Sequence, residues 1–329
     1  MNKIVVLDGY TANPGDLSWK PFEEFGEMKV YDRTPESDIQ SRIGDAEIVL
    51  TNKTPFTRQI LASLPNLKYL GAMSTGYNVI DVEAARDMGV TVTYVPEYAT
   101  YATAQMTIAL LLELSDQVGR HNRLVHEGGW TKSVDFCFTS GPLTELSQKT
   151  LGLVGYGKIA RRVAVIAQAL GMKVLATSRS IENRLISGEL SSDAAGADGV
   201  YYASFDTLLR NSDVISFHCP LTAETRGLAN KQTISRMKDR VLLINTSRGP
   251  VFEENDVAEA LNSGKVAGVA VDVLSTEPPS ADNPLLLAPN CIITPHIAWA
   301  PKETRQRLLD TVYDNLQCFI SGNPKNVVS

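Results

Sequence analysis

The stretch Leu151-Gly152-Leu153-Val154-Gly155-Tyr156-Gly157-Lys158-Ile159-Ala160 decides the fold. Its first four residues read as a buried strand, and Lys158 to Leu170 carries helical spacing closed by Gly171. Between them the small residues have separate tasks. Gly155 permits a tight turn, Gly157 lets the backbone approach a pyrophosphate, and Ala160 keeps the helix close to the strand. Strand, glycine turn and helix in this order predict a dinucleotide site, with phosphate held at the helix N-terminus.

Downstream, the same alternation continues. Strands are expected at Lys173 to Thr177, Asp213 to Phe217, Val241 to Ile244, Val266 to Val273 and Ile292-Ile293. Helices are expected after the cap Asn230 and over Asp256 to Leu261. This is the order of a doubly wound, Rossmann-type parallel sheet in an α/β chain. Upstream, Ile4 to Leu7, Glu47 to Leu50, Tyr69 to Met73 and Thr91 to Tyr94 read as strands. Helical spacing lies between them at Asp38 to Ile43, Thr57 to Leu64 and Val82 to Met88, so the first hundred residues form a second, smaller parallel-sheet domain. A last helix is predicted over Glu303 to Phe319.

Composition narrows the function classes. The chain has 329 residues, 43% hydrophobic and 21% charged, with a formal net charge of −6, which excludes a disordered chain and a basic nucleic-acid binder. Cys137, Cys219, Cys291 and Cys318 lack C-x-x-C spacing, so neither a disulfide framework nor a metal site is expected. Ile4 to Leu7 is too short for a signal-peptide core, and Ala104 to Leu114 is too short to span a bilayer, which points to a cytoplasmic protein without membrane contact. Ala104 to Leu114 is apolar around most of its circumference. It is either buried between domains or a homodimer interface, and periodicity alone leaves both open.

After the second strand of the nucleotide series the chain reads Thr177-Ser178-Arg179-Ser180. A carboxylate there would bind ribose hydroxyls and repel a 2′-phosphate; its absence, with Arg179 between two hydroxyls, slightly favours NADP(H) over NAD(H). The other reading is a solvated arginine that tolerates NAD. Three further strand ends carry Asn245-Thr246-Ser247-Arg248-Gly249, Asp272 through Glu277-Pro278, and Thr294-Pro295-His296-Ile297-Ala298. An arginine, a carboxylate and a histidine at successive carboxyl ends suit reduction of a small α-keto acid. Arg248 would fix the substrate carboxylate and carbonyl, His296 would supply a proton, and Glu277 would hold the imidazole.

With these motifs and His218-Cys219-Pro220-Leu221-Thr222 in order, the whole chain resembles the D-isomer-specific 2-hydroxyacid dehydrogenase family. Within it, His296 to Ala300 and Asp135 to Phe138 are most similar to bacterial glycerate dehydrogenases, also called hydroxypyruvate reductases. The resemblance implies a catalytic triad of Arg248, Glu277 and His296, and a substrate carboxylate held by Lys53 and by the amides of Ser74, Thr75 and Gly76. It implies cofactor contacts from Thr103, Gly155, Tyr156, Gly157, Lys158, Ile159, Ser178, Arg179, His218, Cys219, Pro220, Thr225, Asn245, Thr246, Ser247, Asp272 and Ala298. It also implies a flavodoxin-like substrate domain of residues 1–102 and 299–329 into which the nucleotide domain 103–298 is inserted, closing on it across a cleft, and a homodimer built on the helix after Thr103. Hydroxypyruvate or glyoxylate is the expected substrate. The alternatives are another D-2-hydroxy acid such as D-lactate, or a nucleotide-sensing corepressor-type binding protein.

Overall fold

Alternation of side chains along parallel strands builds two double-faced sheets. In the computed structural model, which describes residues 2–192 and 195–329, the chain divides into two units. One comprises Met1–Ala99 with Trp299–Ser329, the other Thr100–Ala298. The junction falls at Thr100, ahead of Thr103, because the helix Thr100–Asp116 belongs entirely to the second unit.

The first unit holds β1 (Asn2–Val6), β2 (Gly26–Val30), β3 (Ile48–Thr51), β4 (Tyr69–Ala72) and β5 (Thr91–Thr93), all parallel, in the order β2-β1-β3-β4-β5. That is the flavodoxin-like order. Val5, Val49 and Leu70 face a layer with Ile39, Leu61 and Ala84 from the connecting helices. Ile4, Val6, Ile48 and Leu50 face the other side, where Leu308, Leu309, Val312 and Leu316 of the helix Lys302–Ile320 cover them. Each of those four side chains is at most 2% exposed, and burying each contributes about 1.5–3 kcal/mol. This burial explains why the C-terminal segment returns to the N-terminal sheet. The bidentate pair from Arg305 to Asp16, at 2.7 Å on both arms, secures it.

The second unit contains β6 (Thr150–Val154), β7 (Lys173–Thr177), β8 (Tyr201–Tyr202), β9 (Val214–Phe217), β10 (Val241–Asn245), β11 (Val266–Val271) and β12 (Cys291–Ile293). They form one parallel sheet in the order β12-β11-β10-β9-β6-β7-β8. The chain runs outward from β6 to β8 and then returns to place β9 against β6. Strand order therefore reverses between β6 and β9, and in open α/β sheets a ligand crevice forms at the carboxyl ends of such a pair. The helices Thr100–Asp116 and Lys158–Ala169 pack on one face through Ala104, Ile108, Leu111, Ala160, Val163 and Ala164. Leu208, Leu209, Ile234, Val257 and Leu261 cover the other.

Several elements lie outside the sequence expectation. β2 and β8 are edge strands with partly exposed faces, so they lack the apolar run of the central strands. The helix Val118–His126 buries none of its side chains. β11 stops at Val271, two residues before the expected end, where Asp272 turns its carboxylate onto the next loop. Among the described residues no helix is long and apolar enough to cross a membrane, and all four cysteines are free.

Candidate active site

The glycine turn owes its shape to what crosses it. Gly155 has φ +89°, and a Cβ there would lie 2.6 Å from the Cys219 nitrogen and 2.8 Å from the His218 carbonyl carbon. Backbone leaving β9 thus passes directly over the turn leaving β6, and only glycine admits it. Gly157 is the N-cap of the helix Lys158–Ala169 and makes no side-chain capping bond. Nothing lies within 4 Å of where its Cβ would be. Open space against uncapped first-turn N–H groups is what a pyrophosphate requires. The Thr177 hydroxyl at the end of β7 is 3% exposed and has no partner among the described residues, which leaves a polar atom for a ligand at the same edge. The residues present therefore fit a dinucleotide: Gly155 to Ile159 for the phosphates, and Thr177 to Arg179 for the adenosine end.

Other residues expected at the cofactor have side chains engaged with the protein. The Tyr156 hydroxyl donates to Asp198 at 2.7 Å, and the Arg161 guanidinium stacks 4.3 Å from its ring centre. Burial pushes that phenol well above its ordinary value, so Tyr156 stays a neutral donor to Asp198. Burial also pushes the His218 imidazole down to about 4, so it is neutral near pH 7 and shares a 2.9 Å hydrogen bond with Ser216. The Cys219 thiol is pushed up to about 11, again by burial, and is unreactive. The Thr225 hydroxyl donates to the Pro220 carbonyl at 2.6 Å and accepts from the Thr222 N–H, closing its own loop. Thr103 accepts from Thr107, whose hydroxyl lies 2.9 Å from that of Thr246, so the long helix is fastened to the end of β10.

Arg248, Glu277 and His296 sit on loops at the carboxyl ends of three neighbouring strands, β10, β11 and β12. Each loop has its own scaffold. Asn245 is fully buried; its amide donates to the Arg248 carbonyl at 2.9 Å, while its oxygen accepts from the Ser247 N–H and hydroxyl. Asn245 and Ser247 thus form the turn that presents Arg248. Gly249 follows because the Leu274 backbone runs against it: a Cβ there would be 1.9 Å from the Leu274 carbonyl carbon. One Glu277 oxygen accepts from the Leu274 N–H at 3.0 Å, and the other meets His296 Nδ1 at 2.6 Å. Both side chains remain about a third exposed, at 33% and 30%, so the pair is held yet reachable.

His296 has φ +54°, an uncommon conformation for a non-glycine residue. Asp272 stabilises it. Its carboxylate, 1% exposed, accepts from the Thr294 hydroxyl and from the N–H groups of Ile297 and Ala298 at 2.6, 2.9 and 2.8 Å. The chain is gripped on both sides of the histidine, which fixes where the imidazole can point. Sequence reading missed a further support, Glu254, which accepts from the Ser275 N–H and hydroxyl at 2.7 Å and from Asn283 at 2.8 Å. It anchors the loop that carries Glu277, from about twenty residues upstream.

In the first unit, Lys53 and Ser74 to Gly76 lie at the carboxyl ends of the adjacent strands β3 and β4. Ser74 donates to the Gly76 carbonyl and Thr75 to the Val95 carbonyl, both at 2.6 Å. With those hydroxyls committed, backbone N–H groups are what the loop offers an anion.

Residues 108–298 match the family described as D-isomer specific 2-hydroxyacid dehydrogenase, NAD binding domain. A hydroxypyruvate reductase of Blautia hydrogenotrophica is 52% identical, covering 99% of both chains. A glycerate dehydrogenase of Methylorubrum extorquens is 36% identical over 99% of this chain and 98% of its own. The D-lactate dehydrogenase of Aquifex aeolicus, solved with NAD and lactic acid, superposes with a TM-score of 0.78 at 28% identity, covering 98% of this chain and 96% of the other.

Proposed function

The chain belongs to the D-isomer specific 2-hydroxyacid dehydrogenase family, and from that premise we propose that it reduces hydroxypyruvate, and glyoxylate less efficiently, to the corresponding 2-hydroxy acid. It is an NAD(P)-dependent oxidoreductase of small 2-keto acids. The 2.6 Å contact between His296 Nδ1 and Glu277 is the observation that carries the mechanism. With Nδ1 engaged by a carboxylate, Nε2 is the ring nitrogen left to serve the substrate, and Glu277 holds the ring in that orientation.

A reduced nicotinamide, when bound, supplies a hydride to the carbonyl carbon. His296 delivers the proton that the carbonyl oxygen takes up, so ketone becomes alcohol without a free alkoxide. The Arg248 guanidinium polarises the carbonyl and holds the neighbouring carboxylate. For the first unit we propose that Lys53 and the N–H groups of residues 74–76 bind the substrate carboxylate. Steady-state oxidation of NADH and NADPH with hydroxypyruvate, glyoxylate, pyruvate and phosphohydroxypyruvate tests the reading. The largest kcat/KM is expected for hydroxypyruvate, and absence of turnover with every 2-keto acid overturns it.

For the cofactor we propose NADP(H), with Arg179, exposed beside the capping Ser178, on the 2′-phosphate. A carboxylate stands near it. Glu224 is held below the usual range by the hydrogen bond from Thr222 and, as a smaller contribution, by the Arg179 charge. Arg179→Ala is expected to weaken NADPH binding about tenfold and NADH binding less than about twofold, whereas Glu224→Gln tightens NADPH. Equal weakening of both cofactors in a fluorescence titration removes Arg179 from the phosphate.

We also propose a homodimer, with its contact placed beyond the helix Thr100–Asp116. That helix buries Ile108, Leu110 and Leu111 within its own unit. The following segment leaves Trp130, Val134 and Phe136 exposed, the last at 89%, which is a patch suited to a second copy. Phe136→Ser is expected to shift the mass measured by light scattering from dimer toward monomer, and a wild-type chain that already measures as a monomer contradicts the proposal.

A further inference from the structure

Three neighbouring strands of the first unit, β1, β3 and β4, end side by side, and one hydrogen-bonded chain joins their carboxyl ends. Asp8 follows β1. One of its oxygens accepts from the Asn52 N–H at 2.8 Å, and the other accepts from the N–H groups of Lys53 and Thr54 at 2.5 and 2.9 Å. Three consecutive amides turned toward one point form an anion-binding concavity, and here the protein's own carboxylate fills it. Asn52 continues the chain. Its side chain, 3% exposed, donates to the Met73 carbonyl at 2.7 Å, immediately before Ser74, Thr75 and Gly76.

We propose that Asp8 and Asn52 are positioning residues for the substrate carboxylate: Asp8 sets the loop that carries Lys53, and Asn52 ties that loop to the amides of residues 74–76. The inference rests on the reading that Lys53 and residues 74–76 bind the carboxylate. Two consequences follow from the geometry. The amides of residues 52–54 are unavailable to a ligand because Asp8 occupies them, so substrate charge is directed to the neighbouring loop and to the Lys53 side chain. Bonds to buried or charged partners also hold both loops at fixed spacing, which spares the substrate the cost of ordering them.

The experiment compares Asp8→Asn, Asn52→Ala, Lys53→Met and the double variant Asp8→Asn/Lys53→Met, measuring KM for hydroxypyruvate, Ki for oxalate, kcat and Kd for NADPH. Asp8→Asn keeps the shape but sets an amide against N–H groups. It is expected to raise KM and Ki about tenfold while Kd for NADPH stays within about twofold. Asn52→Ala is expected to do the same to a lesser degree. The double variant is expected to be little worse than Lys53→Met in KM, because Asp8 acts largely through the lysine loop. Wild-type KM and Ki in Asp8→Asn and Asn52→Ala, with only a lower melting temperature, overturn the proposal. If Lys53→Met itself leaves KM unchanged, the assignment of Lys53 fails instead, and a raised KM in Asn52→Ala still tests the link to residues 74–76. Should Asp8→Asn give no folded protein, Asn52→Ala decides alone, since it cuts the tie between the loops and leaves the filled concavity intact.

Discussion

His296→Ala is expected to lower kcat by about 10²–10⁴-fold while Kd for NADPH changes by less than about threefold. The asymmetry follows from position. Nδ1 of the ring is committed to Glu277 at 2.6 Å, and the ring stands at the end of β12, away from the glycine turn between β6 and its helix. In the proposed roles, removing the ring takes away the proton donor and leaves the backbone of the glycine turn unchanged. Because His296 occupies φ +54°, alanine also meets a backbone cost, on the order of 1 kcal/mol. His296→Asn is the better-matched variant, since asparagine tolerates that conformation and cannot serve as the acid. Similar losses of kcat in both variants with near-wild-type melting temperatures assign the effect to chemistry. Losses of cofactor affinity as large as the loss of kcat contradict the role. Glu277→Gln is expected to fall between, retaining a hydrogen bond to the ring but losing the carboxylate that meets Nδ1 and accepts from the Leu274 N–H.

The largest effect on stability is expected from Gly249→Ala. A Cβ would stand 1.9 Å from the Leu274 carbonyl carbon, 2.0 Å from its oxygen and 2.4 Å from the Ser275 nitrogen. All three are backbone atoms, so no side-chain rotation relieves the clash, and either the β10 or the β11 loop must move. Such forced displacement in a packed interior places the variant in the range above about 4 kcal/mol, roughly 8–16 °C in melting temperature for a unit of this size. Activity is expected to fall further than stability predicts, since the same backbone presents Arg248 on one side and donates the Leu274 N–H to Glu277 on the other. Gly188→Ala supplies the comparison. Gly188 has φ +76° with nothing within 4 Å of the added carbon, so only a conformational cost of about 1 kcal/mol is expected. A Gly249→Ala enzyme with a melting temperature within about 2 °C of wild type and unchanged kcat would show that the two loops have slack, and that the glycine is not required by their approach.

Much of the site was legible in the order of residues because its key groups lie where local signals are strongest. Gly155 and Gly157 fall between a strand and a helix with Ala160 in the helix's first turn, and Arg248, Glu277 and His296 each follow a short apolar run that reads as a strand. Edge elements carried weaker signals. β2 pairs polar Glu27 and Lys29 with Met28, and β8 is two residues long, so neither shows the apolar stretch that a doubly covered strand must have. The helix Val118–His126 lies outside the sequence expectation and buries none of its side chains.

The supporting residues were hidden for a different reason. Asp8 meets Thr54 across 46 positions, Glu254 meets Ser275 across 21, and Asp272 meets Ala298 across 26. In sequence, Asp8 is an ordinary acid after a strand and Glu254 an ordinary acid at a helix start. Sequence by itself determined the two α/β units, the glycine turn and which strand ends carry Arg248, Glu277 and His296, because strand periodicity and glycine conformational demands are local properties of the chain. Only the tertiary structure decided how those groups are held: which carboxylate fills the amides beside Lys53, which glycine admits a crossing backbone, and which acid grips the histidine loop. Those are contacts between strand ends, set by sheet order, and a parallel sheet brings together residues that the chain keeps far apart.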